Sequence, residues 1–135
     1  MGRIFLMELC SIQPSQLYIS ELKLVEVRRR FAPISVSTLD PIPVKRLDEE
    51  VIFTDGHTRA FAAFLAGLRE VRVFWDEDDL DWEAYRICVQ WCKDEGIYTV
   101  RDLEGRVIPH SDYEVLWYER CAKMQRALKE KRSSS

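Results

Sequence analysis

Val51-Ile52-Phe53-Thr54-Asp55-Gly56-His57-Thr58-Arg59 runs directly into Ala60-Phe61-Ala62-Ala63-Phe64-Leu65-Ala66-Gly67. The first four residues read as an apolar strand. The run after Gly56 reads as a small-residue helix that Gly67 ends as a C′ glycine. Between them lies a polar turn holding a glycine, a histidine, a threonine and an arginine side by side. Such a turn suits an anion, because the first N–H groups of a helix have no intrahelical acceptor and nearby side chains add donors. Gly56 lets the backbone come close to a ligand. Thr58 offers a hydroxyl and Arg59 a planar fork for two phosphate oxygens, while His57 can donate, accept or transfer a proton near neutral pH. Asp55 is placed to cap the helix, to hold Arg59, or to meet a metal carried by a nucleotide. The competing reading of the same residues is a capped helix start with Arg59 on the surface.

Outward from the turn, residues 42–47 form a strand whose Pro43 marks a sheet edge or a strand start. Residues 48–50 turn it into residues 51–54 as a hairpin. Residues 69–75 alternate charged and apolar side chains, as a strand with one wet face does. Residues 4–12 read as a buried strand stopped by Gln13-Pro14. Ser20 caps a helix over residues 21–31 with Leu22, Leu24, Val25, Val27 and Phe31 as its apolar positions, closed by a solvated Arg28-Arg29-Arg30 that complements the dipole. Asp81 caps a helix over residues 82–93 that Gly96 ends. Thr99-Val100-Arg101-Asp102 opens a short helical turn up to Gly105. His110 reads as a loop residue before a capping box, Ser111-Asp112-Tyr113-Glu114, which opens a long helix. Its stripe is Tyr113, Leu116/Trp117, Cys121, Met124 and Leu128, and the last five residues should fray.

With 135 residues, 47 % apolar and 32 % charged, the chain is a globular α+β unit. We expect a domain over residues 1–80, with a helical C-terminal extension over 81–135 packed on it. The net charge of −3 gives no global attraction to nucleic acid or anionic membrane. Residues 76–83 hold six acids, whereas the C-terminal end is basic. The first nine residues read as a strand, since their apolar run is short and broken by Glu8. Nothing approaches the roughly 18 apolar residues of a membrane span. A cytoplasmic location with reduced Cys10, Cys88, Cys92 and Cys121 is therefore expected.

Three blocks in order resemble the ParB/sulfiredoxin superfamily: Ile12-Gln13-Pro14 through Leu17-Tyr18-Ile19, Pro41-Ile42-Pro43-Val44, and the Val51–Gly67 stretch with the strand after it. The resemblance covers residues 4–75. It implies a small mixed sheet with packed helices, and a nucleotide or phosphate group at the Gly56-to-Arg59 turn. Sulfiredoxins place an attacking cysteine where His57 stands, so thiol–phosphate chemistry is not expected here. Partition proteins carry a Gly-Glu-Arg-Arg turn, bind CTP and read DNA through a helix-turn-helix. In this chain such a motif would have to come from residues 82–93, Gly96 and residues 99–103, with Arg101 as its base-reading candidate. The turn is most similar to the Asp-Gly-His-His-Arg of free-serine kinases. By that likeness His57, Thr58 and Arg59 would hold ADP or ATP phosphates. Those kinases use a glutamate base soon after the first strand. Here Pro14-Ser15-Gln16 offers no acid, and Glu21 is the nearest substitute.

The expected function is nucleotide or phosphate binding, with phosphoryl transfer or nucleotide hydrolysis on ATP, ADP or CTP with Mg²⁺. Asp55, Gly56, His57, Thr58 and Arg59 would bind, and Glu21 and His57 are the catalytic candidates. The alternative is a non-catalytic DNA- or protein-binding regulatory module of a plasmid or mobile-element kind. No resident metal site is expected: Cys88 and Cys92 share a helix side, but His57 and His110 are the only histidines. Trp82, Tyr85, Trp91, Trp117 and Tyr118 read as contacts between helices.

Overall fold

A computed structural model describes residues 3–134. Met1, Gly2 and Ser135, which fall in the expected N-terminal strand and the fraying tail, lie outside the described residues. Four strands form a mixed sheet in the order β1 (Ile4–Glu8), β5 (Glu70–Trp75), β3 (Ile42–Leu47), β4 (Glu50–Phe53). β1–β5 and β3–β4 are antiparallel, while β3–β5 is parallel across the expected strand–helix–strand unit. Pro43 occupies the start of a central strand, not an edge. Its carbonyl accepts from Thr54 N–H at 3.2 Å, so it still joins the ladder through its acceptor.

The N-terminal strand is shorter and more exposed than its sequence suggests. β1 is an edge strand, so Phe5 and Met7 pack inward while Ile4 and Leu6 face outward. The chain then makes a 3₁₀ turn at Leu9–Ser11, and Gln13 adds a one-residue parallel bridge to Ile52 at the other edge.

α1 (Glu21–Arg30) begins where expected, with Ser20 Oγ accepting from Lys23 N–H. Its buried stripe is narrow: Leu24, Val27 and Phe31 turn inward, but Leu22 and Val25 are about half exposed. α2 (His57–Leu65) buries Ala60, Phe61, Ala62 and Ala63, and its small residues let the helix lie close to the sheet. Val71, Val73, Ile42, Val44 and Phe53 supply the sheet side of this main core. Gly67, at φ 81°, ends the helix as expected, with Leu68 N–H bonded back to Ala63 O.

The C-terminal third differs most. α3 (Trp82–Asp94) covers Leu47 and Ile52 with Trp82, Tyr85 and Val89, while Cys88 and Cys92 point to the main core. The segment after it is not wholly helical. β6 (Val107–Ile108) pairs in parallel with β2 (Ile19–Ser20), which ties residues beyond 80 into the first domain. His110 is the first residue of a helix, not a loop residue. It opens α4 (His110–Tyr113), because Tyr113 N–H reaches Pro109 O and His110 Nδ1 lies 2.8 Å from Ser20 Oγ. Ser111 therefore sits inside the first turn and caps nothing.

A π-helical stretch, Glu114–Glu119, leads into α5 (Arg120–Ser133). Tyr113, Trp117 and Leu128 are buried, but Leu116 faces out. The basic tail does not fray as expected: Arg132 bonds both Asp81 oxygens and Glu83, and Lys131 bonds Glu83. Among the described residues no helix is long and apolar enough to cross a membrane.

Candidate functional site

Gly56 is the N-cap of α2 and adopts φ 73°, ψ 23°. A Cβ there would be strained by that backbone, and would meet Arg59 Nη2 at 2.9 Å and Ile42 Cγ2 at 3.0 Å. The glycine thus allows both the turn and the close approach of the guanidinium. Asp55 accepts from Gly56 N–H at 2.8 Å and does not cap the helix, which has no side-chain cap. The N–H groups of His57, Thr58 and Arg59 are therefore left for water or a ligand.

His57 is the surprise of the turn. Its ring is buried against Phe53, and its Nε2 accepts from Ser15 N–H at 2.9 Å. Ser15 also donates through Oγ to Phe53 O at 2.7 Å, so the loop after the first strand is pinned to the turn. An acceptor at Nε2 means a neutral ring with its proton on Nδ1. Burial lowers its pKa to about 4, against the pull of Asp55. The side chain is thus a pin for residues 14–16 and carries no charge at neutral pH.

Arg59 donates through Nη1 to Pro41 O at 2.8 Å and Asp40 O at 3.3 Å. Burial lowers its pKa, Asp55 and Asp40 oppose that, and Arg30 adds to it. The nearness of Arg30 exposes a feature that the sequence left open. The supposedly solvated triplet divides: Arg29 and Arg30 line a groove of about 600 Å³ together with Gly56, Thr58 and Arg59. Phe31 forms an aromatic wall, and the Arg30 guanidinium lies 5.1 Å over its ring. Glu26 and Asp40 complete the rim. The groove thus carries three guanidinium groups, two carboxylates and the positive end of α2.

Glu21 is not brought to this groove. It lies eight residues before Arg29 on the same helix, about 12 Å by helical rise. Glu26 is the α1 carboxylate that lines the groove. Gln16, where a base would stand by the kinase likeness, donates to Tyr18 O and to the Tyr113 hydroxyl. None of the four cysteines lines the groove.

Asp76 is buried, accepts from Thr54 Oγ1 at 2.7 Å and, with Tyr85 OH bonded to Thr54 O, fixes the strand end before the turn. Among the described residues no group of three or more His, Cys, Asp or Glu is placed to hold a metal ion. The segment that a helix-turn-helix would have to use does not form one among the described residues. Residues 99–103 carry a capping box but form one 3₁₀ turn, Val100–Leu103, with Val100 and Leu103 buried, so no second helix presents Arg101.

No protein-family model matches the sequence, and no curated protein matches it. Among solved structures the chain is similar to protein Atu1540 from Agrobacterium tumefaciens, at 14 % identity and a TM-score of 0.46, over 72 % of this chain and 50 % of that one. It is also similar to sulfiredoxin from Arabidopsis thaliana, at 20 % identity and a TM-score of 0.45, over 65 % of this chain and 98 % of that one. The chain thus spans half the length of Atu1540. Likenesses at this level concern the course of the backbone and say nothing of ligand or reaction. The mixed sheet and the strand–turn–helix–strand unit are of the α+β kind that the three sequence blocks led us to expect.

Proposed function

We propose that the groove between the end of α1 and the first turn of α2 binds the phosphate groups of a nucleotide. One observation carries the reading: Arg29, Arg30 and Arg59 converge with Thr58 on a helix start whose first N–H groups are uncapped. Guanidinium groups and oriented amides together favour phosphate over a simple carboxylate, because they present several donors to a multi-oxygen anion. Phe31 gives the groove a flat apolar wall, and its volume is that of a small-molecule pocket. Mg²⁺ would arrive with the nucleotide, and Glu26 and Asp40 are the rim carboxylates within its reach. For phosphoryl transfer or hydrolysis, Glu26 replaces Glu21 as the candidate base, since it shares the groove with the arginines.

Titration with ADP, ATP and CTP, with and without Mg²⁺, tests the reading. Arg30→Ala should weaken binding about tenfold or more, as loss of a charge-assisted contact does. Arg59→Ala should weaken it further, and Arg101→Ala should leave it unchanged. Absence of binding for all three nucleotides, or equal affinity in wild type and Arg30→Ala, would overturn the site.

A further inference from the structure

We propose that the outer face of α1 is a contact surface for a second copy of this chain, the two helices lying antiparallel about a two-fold axis at Val25. α1 has two unlike sides. Leu24 is buried, Val27 packs on the core, and Lys23 turns in over the rings of Tyr113 and Tyr118 at 5.4 and 5.1 Å. The other side carries Leu22 and Val25, 51 % and 46 % exposed, together with exposed Glu21, Arg28 and Arg29. At about 100° per residue these five fall within a stripe about 120° wide, centred on Val25. Among the described residues Glu21, Arg28 and Arg29 form no ion pair. Two half-exposed aliphatic side chains thus lie between uncommitted charges of both signs, as an apolar strip with a polar rim does at an interface.

The order of the charges selects the occupant. Glu21 opens the helix and arginines close it, so the face complements itself only when the second helix runs the other way. A two-fold axis at Val25 sets that side chain against Val25 of the second copy. On one edge of the stripe Glu21 meets Arg28 of the second copy. On the other edge Leu22 meets the aliphatic stem of its Arg29. Symmetry repeats both contacts. A parallel arrangement would instead set Glu21 beside Glu21 and arginine beside arginine, which like-charge repulsion opposes. The antiparallel one also aligns the two helix dipoles favourably. One helix face is a small interface, so the dimer is weak and depends on concentration. The stripe shares only Arg29 with the phosphate groove, so either reading can fail without the other.

Sedimentation equilibrium from micromolar to near-millimolar protein tests the surface, in dithiothreitol so that exposed Cys10 cannot link two molecules. A reversible monomer–dimer equilibrium is expected. Val25→Asp, which sets two carboxylates together at the axis, should leave monomer only. Glu21→Arg should raise the dissociation constant about tenfold or more, because both symmetry-related pairs become like-charged. Adding Arg28→Glu to that variant reverses both charges and should restore the wild-type constant, a rescue that damage to the fold would not give. Monomer at every concentration, a dimer that Val25→Asp leaves intact, or a double variant no tighter than Glu21→Arg would overturn the surface.

Discussion

Gly56 and His57 stand side by side in the turn, yet they serve it in different ways. Gly56 is required by its backbone and by the guanidinium against it. Gly56→Ala should cost about 1–2 kcal/mol from the left-handed conformation alone, with a further loss from the Arg59 contact. Gly105→Ala, at φ 84° with nothing within 4 Å of its Cβ, should show the conformational part only. Denaturant melts of the two variants separate the terms. His57 should make stability depend on pH. The unfolded ring takes up a proton near pH 6.5 and the folded ring near 4, so stability is intact above pH 6.5 and falls towards pH 4. The full loss is about 3 kcal/mol. His57→Gln should flatten that part of the profile relative to wild type. Parallel profiles for the two proteins would contradict the neutral, accepting ring.

The strand–turn–helix at residues 51–67 was legible at the level of elements because its signals are local: an apolar run, a glycine in the turn, small residues, then a C′ glycine. The same locality explains what was not legible. Arg28-Arg29-Arg30 reads as a solvated end until the turn of α2 is placed beside it, and that placement is tertiary. Ser111 has the side chains of a capping box, but the helix starts two residues earlier than that cap predicts, at His110, whose ring meets Ser20. Thr99–Asp102 shows the converse: its capping box is present, yet buried Val100 and Leu103 limit it to a single turn. Trp117 should reveal how far α3 and the C-terminal helix depend on each other. Trp117→Ala removes a buried indole from the Trp91 contact and should cost about 3–5 kcal/mol in a melt.

Across the whole molecule, the charge distribution that looked lopsided in the sequence is used internally. Acids at Asp81 and Glu83 receive the basic tail, and Asp76 holds Thr54, so the acidic run braces the fold on one side of the turn. The arginines of α1 face the other side. A chain of net charge −3 can thus keep a locally cationic groove. The resemblance located the turn, but the partners of the turn came from packing: Arg29, Arg30, Phe31 and Glu26. The central claim is that these groups bind phosphate at the uncapped start of α2. Its most direct measurement is the amide NMR spectrum during an ADP titration with Mg²⁺. The account predicts that the largest saturable shifts fall on Gly56, His57, Thr58 and Arg59, and that Arg30→Ala weakens them. Shifts centred elsewhere, or none at these four amides at saturating ligand, would contradict it.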